Sequence, residues 1–319
     1  VSGRHAPGDA GAPRDATSAA EATSTWLDEA YHVERPGADL YVEQVGRPEA
    51  APVYFLHGGP GYHASAFREL MGEELEAYRM IYADQRGGGR SYADAPFDLD
   101  VLADDVQGVV TALERQSPPW RQPLTLLAHG FGATIAVRAA ARHPELVARL
   151  VLVNPWTSMP MLARTLQRTA AGLSDQLDAA VPPESALADG LELDPEGLIE
   201  DAFGWVSAKV LFDTLLFPNP AARLRLEHAD ATALFGPTET VELAHPWRVD
   251  VLADLSQLRC QVVLVAGTRD ASVFPDQAEA LLRRLPQALS GLLDVGHYPW
   301  LDDPDAFVAL LRDALPGAG

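Results

Sequence analysis

At 319 residues the chain is too long for a minimal domain and short for two full ones, which suits one α/β domain carrying an insertion. An apolar fraction of 47% beside 22% charged residues is that of a globule with a sizeable core. The formal charge of −21 argues against nucleic acid and anionic membrane surfaces as partners, because phosphates repel an acidic protein.

Residues 1–25 are rich in Ala, Gly, Pro, Ser and Thr and contain neither the apolar stretch of a signal peptide nor a twin arginine, so they read as a disordered tail. No later run approaches the roughly 18 apolar residues a membrane span needs. A soluble, cytoplasmic protein is expected. The single cysteine, Cys260, excludes an intrachain disulfide and reads as a packed thiol at the mouth of an apolar strand.

From Trp26 onward short apolar runs alternate with longer amphipathic ones, the pattern of a mostly parallel sheet flanked by helices. Strand-like runs fall at 39–45 (DLYVEQV) and 52–56 (PVYFL). The second leads into HGGPG, where glycines let backbone N–H groups face a ligand with no Cβ in the way. An oxyanion hole is built that way; Gly59 is the candidate donor, with Gly58 beside it in the pocket. A third run, 79–83 (RMIYA), precedes DQRGGGRS at 84–91. Residues 98–116 repeat apolar positions at close to 3.6 residues and predict a helix.

The run 123–128 (PLTLLA) meets a tight turn and then a small-residue helix at 131–142, ended by His143-Pro144. After 148–153 (ARLVLV) the alternation stops. Between about 156 and 240 there are helical patterns and proline breaks without a strand-like run, so an all-helical insertion is expected. Strands resume at 261–266 (QVVLVA) and 289–294 (LSGLLD), followed closely by Asp270 and His297 respectively, and a helix at 304–315 closes the pattern.

HGGPG and DQRGGGRS at this spacing resemble the paired signature of proline iminopeptidases and their relatives in the α/β-hydrolase superfamily, with the resemblance running from about residue 26 to 316. It implies an α/β-hydrolase fold: a mostly parallel eight-stranded sheet flanked by helices, its core at 26–155 and 241–319. A helical cap at 156–240 would follow the sixth strand, at 148–153. It also implies that Asp84, Arg86 and Arg90 of the second motif are scaffold. Asp270 would orient His297, which takes and returns a proton. The chain order of acid before base is that of this fold.

The same resemblance exposes an anomaly. The nucleophile elbow of these proteins reads G-x-S-x-G, and here the five positions are Ala128, His129, Gly130, Phe131 and Gly132. Gly130 stands at the nucleophile position and cannot form an acyl-enzyme. Phe131 N–H would complete the oxyanion hole with Gly59. His129, turned away from the nucleophile position, and Trp156, directly after the sixth strand, are assigned to the pocket region with Gly58.

Three readings stay open. His297 and Asp270 act directly as a general base on a small apolar ester, lactone, thioester or related carbonyl substrate, by water activation, elimination or cyclisation. Alternatively the pocket binds a ligand without turnover, or Gly130 replaces the serine of an ordinary serine hydrolase or aminopeptidase. Removing the hydroxymethyl group is expected to leave room for about one water beside His297 Nε2. No metal or cofactor is expected, because no His/Cys/carboxylate group has ligand spacing and HGGPG lacks the Lys-Ser/Thr of a phosphate loop. The acidic residues Glu184, Asp189, Glu192, Asp194, Glu196, Glu200 and Asp201 read as solvated surface. A small-molecule substrate or ligand is the expected partner; substrate identity and oligomeric state are not specified by the sequence.

Overall fold

The apolar runs pair into a single sheet in a computed structural model that describes residues 26–116, 123–176, 194–233 and 243–317. The predicted tail at 1–25 lies outside the described residues, as do 177–193 and 234–242 of the predicted insertion. The strands are β1 (Leu27–Arg35), β2 (Ala38–Gly46), β3 (Pro52–Leu56), β4 (Arg79–Ala83), β5 (Tyr92–Ala93), β6 (Leu124–His129), β7 (Val147–Val153), β8 (Gln261–Gly267) and β9 (Leu289–Leu293). Eight of them run in the order β1-β2-β4-β3-β6-β7-β8-β9, with the two-residue β5 attached to β2. The first two strands are antiparallel to their neighbours, and from β4 to β9 every pairing is parallel.

The helices are α1 (Ser65–Met71), α2 (Leu99–Gln116), α3 (Phe131–Arg142), α4 (Met159–Gln176), α5 (Pro195–Trp205), α6 (Ala208–Leu216), α7 (Pro220–Thr232), α8 (Asp276–Arg284), α9 (Pro299–Asp302) and α10 (Pro304–Ala314). Alternate residues of each central strand face opposite layers, as the two-residue period of a strand requires. Leu126 and Ala128 join one apolar cluster with Val106 and Val109 of α2 and Ile135 of α3. Leu127, between them, joins the other with Phe67 of α1 and Phe307 and Leu311 of α10. Each of the larger side chains among these, fully buried, contributes about 1.5–3 kcal/mol, which is why these strands read as continuous apolar runs.

Chain direction across the sheet changes at β3, which has β4 on one side and β6 on the other. Ligand clefts in open α/β sheets form at the carboxyl ends of strands at such a switch point. HGGPG follows β3 and the elbow follows β6, with Leu56 paired to Ala128 immediately before them.

Between β7 and β8 the described chain runs through α4–α7 and contains no strand, only the isolated bridges of Ser158 with Asp250 and of Leu243 with Phe97. Of the prolines read as breaks, those at 182–183 lie outside the described residues, Pro218 precedes the cap of α7, and Pro220 opens α7, where a missing N–H costs nothing; Pro195, not read as a break, opens α5 in the same way. Asn219 caps α7 by accepting from Ala221 N–H at 3.1 Å. The last carbonyls of a helix lack intrahelical donors. In α6 two of them are used outside the helix: Leu215 O accepts from Ala271 N–H at 3.1 Å, and Leu216 O accepts from His297 N–H at 3.0 Å.

Candidate active site

At the end of β6 the chain must turn sharply into α3, and Gly130 does so at φ +52, ψ −120. A side chain is strained in that region of backbone space, whereas glycine enters it freely. Gly132 is fixed by a different constraint: a Cβ there would stand 2.2 Å from Leu56 O, so α3 approaches β3 only because this residue has no side chain. Phe131 is the first residue of α3, and its N–H belongs to the helix-start donors that have no intrahelical acceptor. Gly58 Cα stands 3.7 Å from the point a Cβ of Gly130 would occupy, which brings the HGGPG turn against the elbow. Gly59 has φ +127.

His297 faces the same point. Its Nε2 is 3.1 Å from that Cβ position, and its Nδ1 bonds Asp270 Oδ2 at 2.7 Å. Both residues are essentially buried, at 2% and 0% exposure. An oxygen presented on the Gly130 side of the ring comes within hydrogen-bond reach of Nε2.

Three polar residues not singled out in the sequence hold this arrangement. Asn154, just past β7 at φ +43, donates from Nδ2 to the carbonyls of Gly296 and His297 at 3.0 and 2.9 Å. Its Oδ1 accepts from Gly267 N–H at 2.7 Å, tying the acid and base loops together. Ser272 donates its hydroxyl to Asp270 Oδ1 at 2.6 Å and its N–H to the same oxygen at 3.0 Å. Buried Gln277 donates to Ser272 O at 3.1 Å and accepts from Ser158 N–H at 2.9 Å.

Trp156 stacks on the His297 ring with centroids 5.1 Å apart and donates its indole N–H to Ser272 Oγ at 3.0 Å. His129 lies on another side of the imidazole, with ring centroids 4.5 Å apart. It is 3% exposed and donates Nε2–H to His297 O at 2.9 Å, so its polar atom supports the base loop. Burial, reinforced by the nearby His297, holds the His129 pKa well below the ordinary histidine value. Tyr298 is half-buried, and burial pushes its phenol above the usual range.

The two glycine-rich motifs interlock beneath the site. His57 donates Nδ1–H to Gly58 O at 2.6 Å and accepts Gln85 N–H on Nε2 at 2.9 Å, which requires the neutral ring. Burial drives its pKa down to about 4. Asp84 accepts from Ala64 N–H, Arg90 N–H and Arg90 Nε at 2.7–2.9 Å. Its carboxyl is held below its ordinary value; burial alone would raise it, but the Arg90 bond and the other donors outweigh that. Arg86 forms a two-pronged bond to Asp105 at 2.7 and 2.9 Å. All three charged residues thus face scaffold partners.

Helices α6 and α7 reach the same loops. Phe217 stacks on Tyr298 with centroids 5.1 Å apart, and Tyr62, next to the HGGPG turn, donates its hydroxyl to Asp230 of α7. Of the acidic group noted above, Glu184, Asp189 and Glu192 lie outside the described residues. Asp194 and Glu196 pair with Arg248 on the surface, and Glu200 and Asp201 are exposed. Cys260 is partly buried, and that burial raises its thiol pKa. Among the described residues no three His, Cys, Asp or Glu side chains are grouped to hold a metal ion, and no helix is long and apolar enough to cross a membrane.

Comparisons with known proteins bear on the family and the fold. The sequence profile of the family described as alpha/beta hydrolase fold matches residues 51–304, and the chain belongs to that family. Among solved structures, a proline iminopeptidase-related protein from Thermus thermophilus is 35% identical with a TM-score of 0.75, covering 90% of this chain and 97% of that one. The proline iminopeptidase of Mycobacterium smegmatis shares the fold at 20% identity and a TM-score of 0.64, covering 89% of this chain and 97% of its own. A pimeloyl-(acyl-carrier protein) methyl ester esterase of Neisseria meningitidis is 26% identical over 290 residues, 86% of this chain and 80% of that protein.

Proposed function

We propose that this protein is an α/β-hydrolase-fold enzyme that uses the Asp270–His297 dyad as a general base on a small apolar carbonyl substrate, without an acyl-enzyme. The observation that carries this reading is the pairing of two distances: Nδ1 bonded to Asp270 at 2.7 Å, and Nε2 at 3.1 Å from the side-chain position of Gly130. With Nδ1–H donated to a carboxylate, the neutral ring has its lone pair on Nε2, toward the elbow.

In the hydrolytic form, Nε2 takes a proton from water as the water oxygen bonds to the carbonyl carbon. The carbonyl electron pair moves to oxygen, where the N–H groups of Gly59 and Phe131 receive the charge. When that intermediate collapses, His297 returns the proton to the departing alkoxide or thiolate. General-base catalysis contributes about 10²–10⁴-fold and one oxyanion donor about 10²–10³-fold, sufficient for esters, lactones and thioesters but not for the higher barrier of an amide. In this reading α4–α7, within 156–240, act as a cap that closes the apolar side of the pocket beside Trp156, and the enzyme works as a soluble cytoplasmic protein.

The test is a panel of aryl esters, lactones and thioesters assayed with the unmodified chain, His297→Ala and Gly130→Ser, with intact mass recorded during turnover. The proposal expects activity in the unmodified chain, its loss in His297→Ala, and no acyl adduct. An inactive chain revived by Gly130→Ser would instead identify a serine hydrolase lacking its nucleophile. Saturable binding with no product would identify a ligand-binding protein.

A further inference from the structure

The base of the dyad is fixed by Asp270, and Asp270 is itself held from behind. Its Oδ2 bonds His297, and its Oδ1 receives both the N–H and the hydroxyl of Ser272. The direction of the second bond is settled by chemistry. An indole N–H can only donate, so Ser272 Oγ must accept the proton of Trp156 Nε1 at 3.0 Å, which frees its own hydrogen for Asp270 at 2.6 Å. The chain of donors runs one way, Trp156 to Ser272 to Asp270, and every member is at least nine-tenths buried.

We propose that Ser272, with Trp156 behind it, is a positioning residue that sets the basicity and tautomer of His297 through Asp270. This rests on the general-base reading for its use in catalysis, but its effect on the imidazole is separable from turnover. Two donors on Oδ1 draw carboxylate charge away from Oδ2 and restrict rotation of the group. The same tryptophan stacks on the imidazole, so one side chain fixes the ring's face and, through serine, its hydrogen-bond partner.

Removing the Ser272 hydroxyl leaves Oδ1 with a single protein donor. Charge then concentrates on Oδ2, and the imidazolium form of His297 gains stability. The other titratable groups around the ring do not obscure the effect. His129 is held neutral by burial, the Tyr298 phenol is pushed up, and Asp230, beyond Tyr298, bonds Tyr62.

The experiment is a nitrogen-15 and carbon-13 histidine titration by NMR of the full chain, with His297 assigned from the spectrum of His297→Ala. Ser272→Ala is expected to raise the His297 pKa by roughly half to one unit and to broaden the preference for Nδ1–H in the neutral ring. Ser272→Thr keeps the hydroxyl and should restore both. Trp156→Phe should shift the pKa the same way by less. Thermal unfolding of each variant monitors folding. A folded Ser272→Ala whose His297 titrates as in the unmodified chain overturns the proposal; should Ser272→Ala fail to fold, a Trp156→Phe titration with no shift does the same. A shift in pKa with no turnover of any ester by the unmodified chain leaves the positioning role standing and removes the catalytic reading instead.

Discussion

The elbow after β6 and the acid–base loops after β8 and β9 belong to one site but are built on opposite terms. Gly130 contributes a backbone angle and no side-chain atom, whereas Asp270 and His297 are held by Asn154, Ser272, Trp156 and His129 as well as by each other. The difference teaches that the position of the imidazole is set independently of the residue in front of it. The imidazole is oriented from behind, through Nδ1 and its own carbonyl, so its aim toward the Gly130 turn needs no side chain there.

The largest test of that contrast is His297→Ala, which removes the only proton acceptor the reading invokes. Ester turnover should fall about 10²–10⁴-fold while the fold persists, as read by initial rates beside circular dichroism. Asn154→Ala attacks the support instead. It strips three hydrogen bonds from buried loops and puts a Cβ residue without a compensating amide at positive φ, so a loss of about 3 kcal/mol or more in urea unfolding is expected. Stability unchanged in that variant would break the claim that the acid and base loops are braced from β7.

Acid should reveal the neutral histidine beneath the turn. Unfolded, His57 takes up a proton near its ordinary 6.5; folded, it does so only near 4. Between those values the unfolded chain binds more protons, so stability falls as pH drops through that window, by about 3 kcal/mol in all for this group. His57→Gln should flatten that part of a stability-versus-pH curve. The smallest effect is expected at the elbow itself. Gly130→Ser forces a side chain to φ +52 with its Cβ 3.1 Å from Nε2, and should lower stability by about 1–3 kcal/mol in urea unfolding. A more stable serine variant would mean that the turn does not hold this angle.

Most of the sheet was legible because its central strands are buried on both faces. The runs read at 52–56 and 79–83 coincide with β3 and β4, and 123–128 differs from β6 by one residue at each end. β1 was not legible: in LDEAYHVER only Leu27 and Val33 are buried, as suits an edge strand with one partner, and no apolar periodicity survives. In the site, Gly59, Gly130, Asp270 and His297 stood out because each occupies a turn with motif spacing. Asn154 and Ser272 were missed because their value lies in contacts across more than a hundred residues of chain, to Gly267 and His297 for one and from Trp156 for the other. A faint signal was present for Asn154, a polar residue abutting the apolar run LVLV.

The carboxyl end of α6 has a consequence for anyone who would re-engineer this protein. Because Leu215 and Leu216 lend their carbonyls to Ala271 and His297, the helices between β7 and β8 are not an interchangeable accessory. A chimaera that imports this stretch from a relative should retain a competent dyad only if the graft recreates both main-chain acceptors at the same register. The practical seam for recombination therefore runs through α6, upstream of its final turn.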